Sequence, residues 1–89
     1  MQLRWNDWNR EHVAKYGVDP EEAEAVVRQA RRPFPRQIGD DKLPVQGRGR
    51  GGRLLQVIYG LDPDDTVFVS HARPLTEREK RRYRRGKRR

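Results

Sequence analysis

Apolar positions along the chain fall into short periodic runs separated by turn residues, and the period changes midway. Leu3-Arg4-Trp5 reads as a short first strand. Asn6 or Asp7 is placed to cap a helix from about Trp8 to Tyr16, and Gly17 supplies a left-handed stop. Trp5, Trp8, Val13 and Tyr16 are the residues expected to face the core there. The second helix has the clearest start in the sequence. Asp19 is its cap, Pro20 takes the first helical position, and Glu22 completes a capping box. Ala23, Val26, Val27 and Ala30 then recur at helical spacing, and the restriction that Pro33 places on Arg32 ends the helix. A single narrow apolar stripe of this kind lies against a neighbour, here a sheet.

From Pro33 to Pro44 no period survives, and the prolines, glycine and aspartates of that stretch mark an irregular loop. Leu54-Leu55-Gln56-Val57-Ile58-Tyr59 is nearly continuous, as in a strand covered on both faces or central in a sheet. Thr66-Val67-Phe68-Val69 is a second run, with Asp62-Pro63-Asp64-Asp65 a turn between the two. Val45 to Arg50 pairs with the first run through Gly51-Gly52. This makes a three-stranded antiparallel meander, with Leu3–Trp5 a candidate fourth strand. Thr76 and Glu79 form another capping box and Gly86 a stop, so a last helix covers about Glu77 to Arg85. It is polar almost all round, with Tyr83 as its one large apolar anchor, and such a helix is marginal alone. The pattern predicts one α+β domain over residues 1–89: two N-terminal helices, an antiparallel sheet of three to four strands, and a basic C-terminal helix and tail at 76–89.

Composition sharpens this picture. Charged residues make up 38% of the chain and hydrophobic ones 33%, so the core is small for 89 residues and a partner is expected to cover part of the surface. The absence of cysteine excludes a disulfide frame and any thiolate metal site, and two histidines speak against structural zinc. No apolar run approaches a membrane span, and the first residues carry no signal-peptide core. A soluble cytoplasmic protein with no membrane association is the expectation. The net charge of +8 is concentrated at one end. Met1 to Ala72 holds eleven Lys/Arg against eleven Asp/Glu, whereas Arg73 to Arg89 holds ten against two. Such a block attracts polyanions over about a Debye length, and it also serves a solvated tail that only keeps the chain soluble.

Several short motifs recur in one order along the chain. They are Trp5-Asn6-Asp7, Asn9, Lys15-Tyr16-Gly17-Val18, Glu21-Glu22-Ala23, Gly52-Arg53-Leu54-Leu55, Val69-Ser70-His71-Ala72-Arg73, and Glu79 with Tyr83 in the basic helix. Together they resemble the BrnT toxins of bacterial toxin–antitoxin pairs across nearly the whole chain. Tyr16 stands where that family commonly has histidine, and His71 takes the place of the small residue before Ala-Arg. Pro44-Val45-Gln46 begins the strand where the family has a stronger start. The resemblance implies a fold related to the RelE-type ribonuclease toxins and a metal-independent endoribonuclease that needs no cofactor. It also implies RNA as substrate, growth arrest as outcome, and neutralisation by a cognate BrnA-like antitoxin with which the toxin represses its own operon.

RNA cleavage without metal needs a group to take the 2′-hydroxyl proton, cations on the phosphorane, and a group to protonate the leaving oxygen. Arg73 suits phosphate through its planar fork and matches the family's strand-end arginine; its alternative role is an ion pair with Glu77 or Glu79. Along an extended strand Val69, His71 and Arg73 share a face, so His71 is a candidate acid or base, or else a surface histidine. His12 lies one helical turn beyond Trp8 and is a further candidate. Arg48, Arg50 and Arg53 bracket a glycine-rich stretch that either lets RNA approach the backbone or forms a flexible hairpin with solvated arginines. Arg53 matches the family's Gly-Arg and is the catalytic candidate of the three. On the last helix Arg78, Arg81, Arg82 and Arg85 are RNA-binding candidates, and Tyr83 either stacks on a base or anchors the helix. Two other function classes remain open on these residues: an RNA-binding module without catalysis, and a protein whose whole role is interaction with a partner.

Overall fold

Local chemistry starts and ends each element of the computed structural model, which describes residues 2–29, 42–64 and 66–87, the last by its backbone alone. The order is β1 (Leu3–Arg4), α1 (Asp7–Ala14), α2 (Pro20–Arg28), β2 (Leu43–Arg48), β3 (Leu54–Leu61), β4 (Val67–Pro74) and α3 (Glu77–Lys87). Asn6, not Asp7, caps α1: its side chain accepts from the Asn9 amide at 3.1 Å, and the Asn9 carboxamide accepts from the Asn6 amide at 2.7 Å. The helix ends two residues early, at Ala14, and Gly17 turns the chain at φ +70°. Asp19 and Glu22 make the expected capping box of α2. That helix stops at Arg28 with Gln29 as C-cap, before the proline can act. Ala30 and residues 33–41 of the expected loop lie outside the described residues; Lys42 follows, and Leu43 and Pro44 belong to β2. Asp65 of the β3–β4 turn is likewise outside them. Gly86 does not stop α3, which runs on to Lys87. A glycine permits a left-handed turn without imposing one, and the flanking arginines and lysine are good helix formers.

The fold is α+β, with three helices and a four-stranded mixed sheet among the described residues. Strand order is β1-β4-β3-β2, and β2, β3 and β4 form the antiparallel meander. β1 pairs parallel to β4, through Leu3 with Val67 and Arg4 with Phe68, so the sheet is not antiparallel throughout. Everything between the two strands serves as their crossover, which is what a parallel pair requires. β3 is central, as its continuous apolar run suggested; its Leu55, Val57 and Tyr59 side joins the main core cluster, and Leu54 on the other side is buried outside that cluster. Pro44 is tolerated because β2 is an edge strand of the described sheet.

α2 covers one face and α1 lies along β4, and Val13, Val18, Ala23, Val26 and Val27 meet the inward residues of β2, β3 and β4. α1 packs chiefly on β4, and α2 on β2 and β3. Two expected core residues are not there. Trp8 is 49% exposed and Tyr16 50%, while Asn9 is fully buried in their stead. The Asn9 amide donates to the Arg4 carbonyl at 2.9 Å, so this carboxamide joins the end of β1 to the start of α1. Fixing that joint turns Asn9 and Val13 inward and leaves Trp8, one residue back and about 100° round the helix, outside.

Candidate functional site

A β-bulge organises the face of the sheet opposite α2. Ile58 pairs with His71 but Tyr59 pairs with Val69, so Ser70 is an extra residue in β4. Its hydroxyl donates to the Ile58 carbonyl at 3.2 Å. Before the bulge Val67 and Val69 point into the core; after it Ala72 does. Val69 therefore does not share a face with His71 and Arg73, as an unbroken strand would require. His71 and Arg73 instead lie outward, opposite Ile58 and Gln56 of β3, with Phe68 further along the same side.

Arg73 is gripped from α3. Its two terminal nitrogens donate to the two Glu79 carboxylate oxygens at 2.7 and 2.8 Å, and one also reaches the Pro74 carbonyl at 3.2 Å. Of the two partners open to it, Glu79 is the one taken; Glu77 pairs with Lys80 at 3.0 Å. Glu79 also accepts from the Thr76 amide at 2.9 Å, and these bonds hold its carboxyl down at about 2, the Arg73 hydrogen bond first. Beyond this contact α3 packs broadly on no other described element.

His71 is half-buried and meets Tyr16 edge-on, ring centroids 5.0 Å apart. Burial lowers its pKa from the ordinary 6.5, and the nearby charges of Arg73 and then His12 lower it further. The imidazole is neutral near pH 7. His12 comes to the same cluster from α1. Its Nδ1 lies 2.7 Å from the Trp8 carbonyl, which only accepts, so the neutral ring carries its proton there and leaves the Nε2 lone pair free. The Tyr16 phenol adds to the raised pKa of Arg73, behind the dominant Glu79 bond. Two of the positions that depart from the BrnT pattern, Tyr16 and His71, thus meet each other.

Of the candidates, then, His71, Arg73 and His12 come together, and Arg53 does not join them. Arg53 donates to both carboxylate oxygens of Glu22, at 2.7 and 2.8 Å, and to the Gly17 carbonyl, tying the hairpin to α2. Arg48 donates to the Gly52 carbonyl at 2.7 Å and Arg50 pairs with Glu21, both at the surface. Arg78, Arg81, Arg82 and Arg85 are exposed along α3, and Tyr83 is half-buried. Two aromatic groups at this face, Trp8 and Phe68, were not read from the sequence as part of a site. Trp8 stacks on His12 at 3.7 Å and on Phe68 at 5.6 Å, and the Arg4 guanidinium lies 4.4 Å from the Phe68 centroid. The signal was present in the spacing: Trp8, His12 and Tyr16 recur every four residues, and Phe68 alternates with Val67 and Val69. Among the described residues no helix is long and apolar enough to cross a membrane. The chain matches no protein-family model, no curated protein and no solved structure.

Proposed function

We propose that this chain is the toxin of a bacterial toxin–antitoxin pair, a metal-independent endoribonuclease of the cytoplasm, neutralised by a cognate BrnA-like antitoxin. The observation that carries the reading is the outward pair His71 and Arg73, with His12 and Tyr16 against it. A half-buried imidazole kept neutral at physiological pH is suited to take the 2′-hydroxyl proton. Arg73, always charged and planar, stabilises the phosphorane as charge builds on its oxygens. His12 is the second imidazole of the cluster, and in its doubly protonated form, with Nδ1–H on the Trp8 carbonyl, its Nε2–H is the proton given to the leaving 5′-oxygen. The exposed arginines of α3 draw in RNA as a cationic track. The motif resemblance supports the same chemistry.

The test is cleavage of a mixed RNA by purified protein in excess EDTA, with Arg73→Ala and His71→Ala alongside. Cleavage that survives chelation and is lost in both variants upholds the reading. Cleavage indifferent to both variants overturns the site.

One observation favours a second reading, an RNA-binding or interaction module without catalysis. Arg73 and Arg53 are each neutralised by a bidentate carboxylate, as structural arginines are. Under that reading RNA is bound, no variant turns over substrate, and growth is unaffected when the protein is expressed alone.

A further inference from the structure

We infer that the hollow beside Trp8 and Phe68 is a subsite for one unpaired RNA base, next along the strand from the phosphate held at Arg73. This rests on the ribonuclease reading and names where that site takes hold of its substrate. The hollow lies between α1 and the β3–β4 turn, lined among others by Trp8, Lys42, Gly60, Leu61, Phe68 and Ser70. Its volume of about 610 Å³ falls in the range of small-molecule pockets, roughly 300–1,000 Å³.

Three features fit a base. The first is the run of planar groups from α1 across β4 to β1. His12 against Trp8, and Trp8 against Phe68, are inclined by only 27° and 24°, and the Arg4 guanidinium caps the Phe68 ring. The stack already places neighbours on Trp8 and Phe68, so a base enters against the exposed part of the Trp8 indole, and every base has a flat face to set there. Trp8 is half exposed, so its indole is not consumed by the core. The second feature is shape. Gly60 stands directly opposite Phe68 on β3 and contributes no side chain to the hollow. The third is placement. Phe68 lies on the same outward side of β4 as His71; because Ser70 bulges out, their partners Gly60 and Ile58 are two residues apart on β3, or about 7 Å at strand rise. A strand whose phosphate meets Arg73 therefore brings a neighbouring nucleotide to Trp8. Lys42 lines the hollow, while the Arg4 guanidinium beside Phe68 is paired with Asp62, which lines it too, so stacking on the aromatic rings rather than net charge selects a base over a peptide.

The test uses the full chain and a short 2′-O-methyl oligoribonucleotide, which has no free 2′-hydroxyl and is not cleaved. Its partner is the same backbone made abasic throughout. Affinity for the two is measured for wild type, Trp8→Ala and Trp8→Phe. The expected result is that Trp8→Ala loses about 10- to 100-fold on the natural oligonucleotide and nothing on the abasic one, with Trp8→Phe close to wild type. Equal affinity of wild type for both oligonucleotides, or a Trp8→Ala variant that discriminates between them as wild type does, overturns the subsite and leaves the hollow to a protein side chain. In that case cleavage in EDTA still stands and the ribonuclease reading survives. Binding of neither oligonucleotide by wild type, with no cleavage, brings down both. Trp8 is half exposed, so an unchanged thermal melt of Trp8→Ala is expected and separates lost stacking from lost folding.

Discussion

Two arginine–glutamate pairs in this molecule have the same chemistry and nearly the same dimensions, yet their surroundings give them different work. Arg53 and Glu22 meet bidentately at 2.7 and 2.8 Å, and so do Arg73 and Glu79. Around the first pair everything belongs to the packed part of the fold. Arg53 also holds the Gly17 carbonyl at the end of α1, and Gly49 lies so close to α2 that a Cβ there would sit 3.0 Å from the Glu22 carbonyl and 2.9 Å from Leu55. Around the second pair one partner stands on a central strand and the other on a helix that packs broadly on nothing else described. Ion-pair geometry alone does not separate a buckle from a catch. What lies on either side of the pair does.

The comparison breaks most visibly in activity. Arg73→Ala is expected to lower RNA cleavage by about 10²- to 10³-fold, the scale of losing one donor aimed at developing charge, with little change in melting temperature. Arg53→Ala is expected to keep cleavage near wild type and to lose about 1 kcal/mol of stability in urea unfolding. The reverse pattern would make Arg53 the chemical residue. Gly49→Ala, on the Arg53 side, is expected to cost about 1–3 kcal/mol by overpacking against Leu55 and the α2 backbone, again read by urea. An unchanged midpoint would show that the hairpin yields freely.

Acid sharpens the contrast. The Glu79 carboxyl is held at about 2 against an ordinary 4.5, so its contribution is whole above pH 4.5 and is lost as pH falls towards 2. Amide exchange in α3 is expected to accelerate through that window. Glu22 is lowered in the same sense by Arg53, but its loss is shared with the global unfolding of α2 and the hairpin. The smallest effect is at His71. Replacing Arg73 with glutamine removes one cation that depresses the imidazole, so its pKa, followed by NMR, is expected to rise towards the ordinary value without reaching it, since burial is the larger cause. In wild type the acid limb of cleavage is then expected below pH 6.5, because the base must be unprotonated and its folded pKa is lowered.

The parts of the fold written in local chemistry were legible along the chain. Asp19, Pro20 and Glu22 carry the start of α2 within four positions, and Gly17 and Gly51 sit at positive φ where turns require it. Features that depend on distant partners were not. The inward face of α1 was misjudged because Trp8 and Tyr16 are apolar and Asn9 is not; the decisive interaction is the Asn9 bond to the Arg4 carbonyl, invisible to periodicity. Ser70 to Pro74 contains no apolar run, so the strand through Arg73 was legible only from the motif resemblance, and pairing with β3 carries it one residue further, to Pro74. The bulge at Ser70 likewise has no sequence signature here, and it decides which of Val69, His71 and Arg73 share a face. His71 and Arg73 were recognised two residues apart, whereas the aromatic groups beside them were assigned to packing.

The parallel seam between β1 and β4 has a further consequence, in time. Leu3 must wait for Val67, so the first strand to be synthesised is placed only when the last has been made. Until then α1 and α2 carry an apolar stripe with no complete sheet to cover it, and the outward face of β4 does not exist. Closure over so long a separation is slow compared with helix formation. For a protein that we propose damages the RNA of the cell that makes it, the interval between synthesis and activity is thus set by the topology of the sheet, and it offers a partner made alongside it time to arrive first.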